Sequence, residues 1–188
     1  MKNISLLSVP LLLILGCSDL DESLSETTKS QNESFASTYE PMQSQPILYK
    51  SANIYDGLGG EFLGYDLLIA DGKIVEMGQS LSQSGINTID ATGQWITPGI
   101  IDIHSHMGVY SAPGVSTSSD GNEATSPVTA EVWAEHSIWT QDPQFALALK
   151  GGVTSFHVLP GSANLFGGRG ATFKNISKNT IQAMKFPN

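Results

Sequence analysis

The sequence predicts an α/β fold preceded by a β-rich domain, and three features carry that expectation. Between Ile47 and Ile96, short β-prone runs alternate with glycine-bearing turns. After Gly99 come an apolar strand, a long loop, a capped helix and a second apolar strand, the pattern of a βαβ unit. Before Ile47 lies a stretch too polar to build a core. With 188 residues and 40% hydrophobic content, the chain has the length and the apolar content for one or two compact domains.

The first residues read as an address. Met1 and Lys2 give a positive start, Ile4 to Leu15 is almost wholly apolar, and Gly16 is a small residue before the only cysteine, Cys17. At about a dozen apolar residues this run is too short for a permanent membrane helix and fits a secretory signal over residues 1–16. A lone cysteine forms no disulfide within the chain. Ile14-Leu15-Gly16-Cys17 resembles the lipobox of bacterial lipoproteins, which implies cleavage before Cys17 and lipidation of that residue. More than one acyl chain makes such an anchor stable. Ser18 at the following position implies the outer membrane of a bacterial envelope, with the protein facing the periplasm. A buried free cysteine in an ordinary N-terminal helix is the competing reading of Cys17.

Residues 17–46 are rich in Ser, Thr, Gln and Glu, and the expectation is a flexible acidic tether. Asn32-Glu33-Ser34 and Asn175-Ile176-Ser177 match the glycosylation pattern, but beside a bacterial-type lipobox they read as chance matches.

Over residues 47–98 the expected strands are Ile47 to Lys50, Ala52 to Asp56, Tyr65 to Ile69, Lys73 to Met77 and Thr88 to Asp90. Asp56-Gly57, Gly59-Gly60, Asp71-Gly72 and Thr92-Gly93 separate them. Asp71-Gly72 is a hairpin signal, because a two-residue turn needs positive φ that glycine adopts at little cost. Strands this short and this closely spaced suggest a small sandwich or meander rather than a parallel sheet.

From residue 99 the pattern changes. Ile100, Ile101 and Ile103 read as a strand buried on both faces. It leads into His104-Ser105-His106, where the period of two puts both imidazoles, and Asp102 with them, on one face. Two imidazoles so placed can grip one metal ion. Asp142 is the expected N-cap of a helix, Pro143 its first position, and Gly151-Gly152 its stop. Val128 to Trp139 is a second expected helix, packing Val132, Trp133 and Ile138 and turning Glu131 and Glu135 to water. Val153 to Leu159 is the next apolar strand, and Ala171 to Lys174 could begin a third.

The ordered set Ile69-Ala70-Asp71-Gly72-Lys73-Ile74, Ile89-Asp90-Ala91-Thr92-Gly93, Thr97-Pro98-Gly99-Ile100-Ile101-Asp102-Ile103-His104-Ser105-His106 and Gly151-Gly152-Val153-Thr154-Ser155 resembles the opening of the amidohydrolase superfamily, in its imidazolonepropionase-like and prolidase-like branch. The resemblance runs from about Ile47 to Leu159. It implies a β-sandwich over residues 47–98 and, over residues 99–188, the first strands of a (β/α)8 barrel. It also implies a centre of one or two divalent metal ions, zinc for preference, with His104 and His106 as first-strand ligands. The implied activity is hydrolysis of a carbon–nitrogen bond in a small amide, lactam or dipeptide through a metal-activated water.

Several residues are placed outside the ligand set. Asp102 is expected to hydrogen-bond rather than ligate and His136 to face solvent, while His157 reads as a satisfied core histidine in preference to one lining the site. The glycine-rich loop Pro160 to Gly170, with Arg169, resembles a substrate-side loop because it follows a barrel strand. Lys174 is not matched to the carboxylated lysine of some relatives, which belongs to a later strand. No other catalytic residue is identified.

A net charge of -9 and scattered Lys and Arg exclude a phosphate-binding surface for nucleic acid. A complete barrel takes on the order of 250 residues, and Ile100 to Asn188 accommodates two or three of its eight strands. The expectation is therefore a truncated barrel, inactive alone because later strands and ligands are missing. A non-catalytic lipid-anchored binding or structural lipoprotein, and one half of a split enzyme, are the alternatives.

Overall fold

The computed structural model describes residues 35–187. The expected signal segment, the lipidation site Cys17 and the first part of the tether lie outside the described residues. The chain divides at Ala36, and the fold below is the compact unit that begins at Ser37. Residues 37–46 form no regular element, and their start is bonded to the far end of the unit. The Ser37 hydroxyl donates to the Lys185 carbonyl at 2.7 Å, and the Thr38 N–H donates to the Gln182 carbonyl at 3.0 Å.

The β-rich region forms one mixed sheet from β1 (Ile47–Tyr55), β2 (Glu61–Ala70), β3 (Lys73–Gly78), β4 (Asn87–Asp90) and β5 (Trp95–Ile96). Its order is β3-β2-β1-β4, with β5 also on β1. The meander expectation holds for β1, β2 and β3, which pair antiparallel in sequence order. It fails for β4 and β5, which both run parallel to β1. The Asp71-Gly72 turn has φ of 51° and 70°, the two positive values its hairpin needs. Ala52, Ile54, Leu67 and Ala91 are buried on one face, with Tyr49, Phe62 and Ile69 packed round them.

The second sheet contains β6 (Ile100–Ser105), β7 (Val153–Val158) and β8 (Ala171–Lys174), in the order β6-β7-β8. β6 and β7 are parallel and are joined through α1 (Pro143–Lys150), which is the expected βαβ unit. Asp142 caps α1 and Pro143 opens it, as the sequence predicts. β8 returns antiparallel to β7, because the connection between them holds no crossover helix. The core is a row of phenylalanines: Phe145 and Phe156 have ring centroids 5.2 Å apart, and Phe156 and Phe173 5.7 Å. Val109, Val158 and Met184 close round it.

Three expectations are corrected here. Val128–Trp139 is not an α-helix. Only Ala134–Ser137 turns, as a short 3-10 helix, because Val128 and Trp133 bridge in extended form to Phe166 and Arg169. Glu135 does not face water: it is 2% exposed and paired with Lys185 at 2.8 Å. Ile100, Ile101 and Ile103 are not buried, being 54%, 64% and 77% exposed. β6 is the edge of its sheet, and no layer among the described residues covers those side chains. Ile181–Phe186 docks on β8: Lys174 N–H donates to the Met184 carbonyl at 2.8 Å, and Phe186 N–H to the Thr172 carbonyl at 3.0 Å.

Candidate metal centre

The end of β6 sets the directions of its side chains. Ser105 pairs with Val158 and is buried, on the side of the phenylalanine core. His104 and His106 flank it at the end of β6, just past a register irregularity between Asp102 and Ser105. Their ring centroids lie 5.3 Å apart and nearly perpendicular, with His104 exposed and His106 half-buried.

His106 is oriented by its own hydrogen bond. Its Nδ1 lies 2.9 Å from the Leu159 carbonyl oxygen at the end of β7. A carbonyl only accepts, so Nδ1 is the donor, and in the neutral ring Nε2 keeps its lone pair for a ligand. This is the arrangement in which a metal-binding imidazole is fixed from behind. The Leu159 carbonyl is in place because Leu159 N–H donates to the Ser105 carbonyl at 3.0 Å, continuing the β6–β7 ladder past Val158. The Tyr110 ring also meets the His106 ring, nearly perpendicular to it, with centroids 5.6 Å apart.

Asp102 is half-buried and its Oδ1 accepts from the His104 N–H at 3.1 Å, which ties it to local backbone. His157 stands on β7 opposite the face of Phe156 and Val158. Its Nδ1 lies 2.9 Å from Thr172 Oγ1 on β8, so the sheet itself satisfies it. His136 is exposed on the 3-10 turn. It lines a cleft of about 260 Å³ with Asp120, Asn122, Glu131 and Trp133. Among the described residues no group of three or more His, Cys, Asp or Glu side chains is placed to hold a metal ion. The pair fits two positions of a metal's coordination, with no third candidate beside it among those residues.

The loop from Pro160 to Gly170 is pinned rather than free. Arg169 N–H donates to the Val132 carbonyl at 2.7 Å, Ala134 N–H donates to the Arg169 carbonyl at 2.9 Å, and the guanidinium lies 4.8 Å from the Trp133 ring centre. Asn122 links this loop to Tyr110: its Nδ2 bonds the Tyr110 hydroxyl, and its Oδ1 accepts from Ala163 N–H at 3.0 Å. Asn175 is buried, and its amide donates to the carbonyls of Phe145 and Val153, which is a structural role rather than a glycan acceptor's. Sequence reasoning passed over the Leu159 carbonyl, Tyr110 and Asn122. No residue type marks a main-chain acceptor, and an isolated Tyr or Asn carries no signal of its own.

No protein-family model matches the sequence. The chain is 35% identical over 123 residues to amidohydrolase tasK of Hapsidospora irregularis, which covers 63% of this chain and 12% of that protein. It is 35% identical over 74 residues to a dihydroorotase of Streptococcus pneumoniae, covering 39% of this chain and 17% of the relative. A D-hydantoinase of Geobacillus stearothermophilus is 55% identical over 42 residues, which is 22% of this chain and 9% of that one. In structure, the chain resembles an amidohydrolase from Thermotoga maritima MSB8 with a TM-score of 0.70 and 37% identity, over 76% of this chain and 37% of that one. The chain thus spans well under half the length of the relatives it matches.

Proposed function

Because the chain is a partial match to the amidohydrolase superfamily, to which its relatives and its structural neighbour belong, we propose that it is the metal-binding opening of a hydrolase acting on carbon–nitrogen bonds. The observation that carries this is the fixed His106 imidazole, its Nδ1 held by the Leu159 carbonyl and its ring set 5.3 Å from that of His104. His104 and His106 hold one divalent ion, zinc for preference, or share in a centre of two. When bound, such an ion supplies Lewis acidity and lowers the pKa of water near an amide carbonyl. The substrates are small amides, cyclic amides or dipeptides.

In this reading the five-stranded sheet is one layer of a β-sandwich, and β6, α1 and β7 open a (β/α)8 barrel. The other ligands and the general base come from later barrel strands. The exposed isoleucines of β6 support that placement. Lipidation at Cys17, with residence at the outer membrane facing the periplasm, remains part of the proposal on sequence grounds.

Competition of the chain against a chromophoric chelator for Zn2+ tests the site. The wild type is expected to bind at least about tenfold more tightly than the His104→Ala/His106→Ala double variant, since losing even an outer partner of a ligand weakens metal sites on that scale. Equal affinities would overturn the metal reading. They would favour a non-catalytic lipoprotein.

A further inference from the structure

We propose that Asp142 is a positioning residue for His106, holding the turn on which that imidazole depends; this rests on the metal reading above. Asp142 and His106 share no secondary-structure element, and what joins them is a set of hydrogen bonds. The Asp142 side chain is buried, with the residue 2% exposed, and it engages four donors. Oδ1 accepts from Gln144 N–H at 3.0 Å and from Ala112 N–H at 3.2 Å. Oδ2 accepts from Gly108 N–H at 3.0 Å and from Gln144 Nε2 at 2.9 Å.

Capping α1 needs only the bond from Gln144 N–H. Two of the others reach the backbone of the turn that follows His106. Gln144 adds a third tie, since its Nε2 also donates to the Tyr110 carbonyl at 2.7 Å. The turn is therefore held at Gly108, Tyr110 and Ala112, on alternate residues. It returns to His106 in two ways: the His106 carbonyl accepts from Val109 and Tyr110 N–H at 3.2 and 3.0 Å, and the Tyr110 ring abuts the imidazole. The Leu159 carbonyl fixes His106 at Nδ1, and the turn fixes it through its main-chain carbonyl and the Tyr110 ring.

The chemistry of the four partners explains why a carboxylate stands here. All four are donors, so the group must be acceptor-only, and an ionised carboxylate is the side chain that meets this. Serine, threonine or asparagine would cap α1 as well. Asparagine would turn an NH2 toward Gly108 N–H or toward Ala112 N–H, and one side of the arrangement would open.

The test compares the whole wild-type chain with Asp142→Asn and Asp142→Ser, each of which keeps a capping group. Zn2+ affinity is measured by chelator competition, and the His106 ring nitrogens by 15N NMR without metal at a pH where the ring is neutral. The wild type should show the Nδ1-protonated form of His106. Both variants should lose about tenfold in Zn2+ affinity or more, and their His106 signals should shift toward a mixture of the two tautomers. Affinity within about twofold of wild type together with an unchanged 15N pattern would overturn the proposal. Should far-UV circular dichroism show either variant unfolded, Gln144→Leu replaces it under the same criteria, because it removes the Tyr110 tie and leaves the Asp142 cap. If the wild type binds no Zn2+ more tightly than His104→Ala/His106→Ala, the metal reading fails, and the 15N pattern of the Asp142 variants still decides whether the turn positions His106.

Discussion

Replacing Asp66 with asparagine removes a charge that the first sheet is built to hold. Asp66 sits on β2 with 2% exposure, and its carboxylate accepts from Lys50 Nζ at 2.5 Å and from the N–H groups of Ser51 and Leu81, both at 2.8 Å. It thereby fixes the irregularity of β1 at Ser51 (φ 59°) and pins the loop after β3 to the sheet. In the Asp66→Asn variant the new amide would face one of these donors with its NH2. That leaves one buried N–H unpaired, at a cost of about 1–3 kcal/mol. Lys50 loses its counter-charge as well. Its side chain is 32% exposed and its Nζ keeps the Leu81 carbonyl at 2.7 Å, so solvent limits that loss to about 1 kcal/mol. Asp66→Asn should therefore cost about 2–4 kcal/mol at neutral pH.

The dependence on pH follows from the same contacts. Burial raises the Asp66 pKa, but the Lys50 ammonium and the two N–H donors outweigh it and hold the carboxyl below its ordinary value. A depressed folded pKa contributes stability above the unfolded value of about 3.9, and that contribution is lost as pH falls through the lower folded value. Urea unfolding followed by tryptophan fluorescence, at pH 7 and at steps down through the carboxylate range, measures both effects. The gap between wild type and Asp66→Asn should be widest at pH 7 and close in acid. A gap that is absent at neutral pH, or equally wide once Asp66 is protonated, would refute the reasoning.

Two further substitutions probe the scaffold. Gly108 has φ 84°, and a Cβ there would lie 2.7 Å from Ile138 Cγ2 and 3.0 Å from Phe145 Cζ. Gly108→Ala combines backbone strain with overpacking and should cost about 2–4 kcal/mol, read as a lower midpoint in thermal unfolding by circular dichroism; an unchanged midpoint would mean the turn is not packed as described. Ile101→Thr/Ile103→Thr replaces two exposed side chains of β6 with residues of similar β preference. Stability should stay within about 0.5 kcal/mol per site while self-association in sedimentation velocity falls, and a large loss of stability would show those isoleucines to be covered.

The fold was legible where local chemistry decides it. The Asp71-Gly72 turn, the Asp142-Pro143 start of α1 and its stop at Gly151 each depend on one or two residues whose conformational preferences survive any context. What context decides was not legible. Val128 to Trp139 carries spacing that suits a helix, yet the hydrogen bonds from Thr129 N–H to the Phe166 carbonyl and from Arg169 N–H to the Val132 carbonyl draw it into extended pairing with a loop distant in sequence. Glu135 reads as a surface carboxylate until Lys185, at the far end of the chain, is brought within 2.8 Å of it. Ile100, Ile101 and Ile103 have a buried strand's composition, but burial is a property of the layer that covers them, and composition says nothing about where that layer lies.

The same division runs through the candidate site. That His104 and His106 share a face follows from the strand period alone, and the 5.3 Å between their rings accords with it. What turns a pair of imidazoles into an oriented donor is supplied by groups without a signature: a main-chain carbonyl at Leu159 and a turn tied down by Asp142. Asp142 shows how one residue can hide a second role behind an obvious first one. Its place before Pro143 explains it fully as a helix cap, and only the distances to Gly108 and Ala112 reveal that the helix start and the histidine turn are held by one carboxylate. The βαβ unit thus delivers α1 to β7 and, through the cap of α1, steadies the end of β6. A change that spares the cap but loosens the turn should weaken the site without melting the helix, whereas if Asp142 were only a cap the same change would leave the site unaltered.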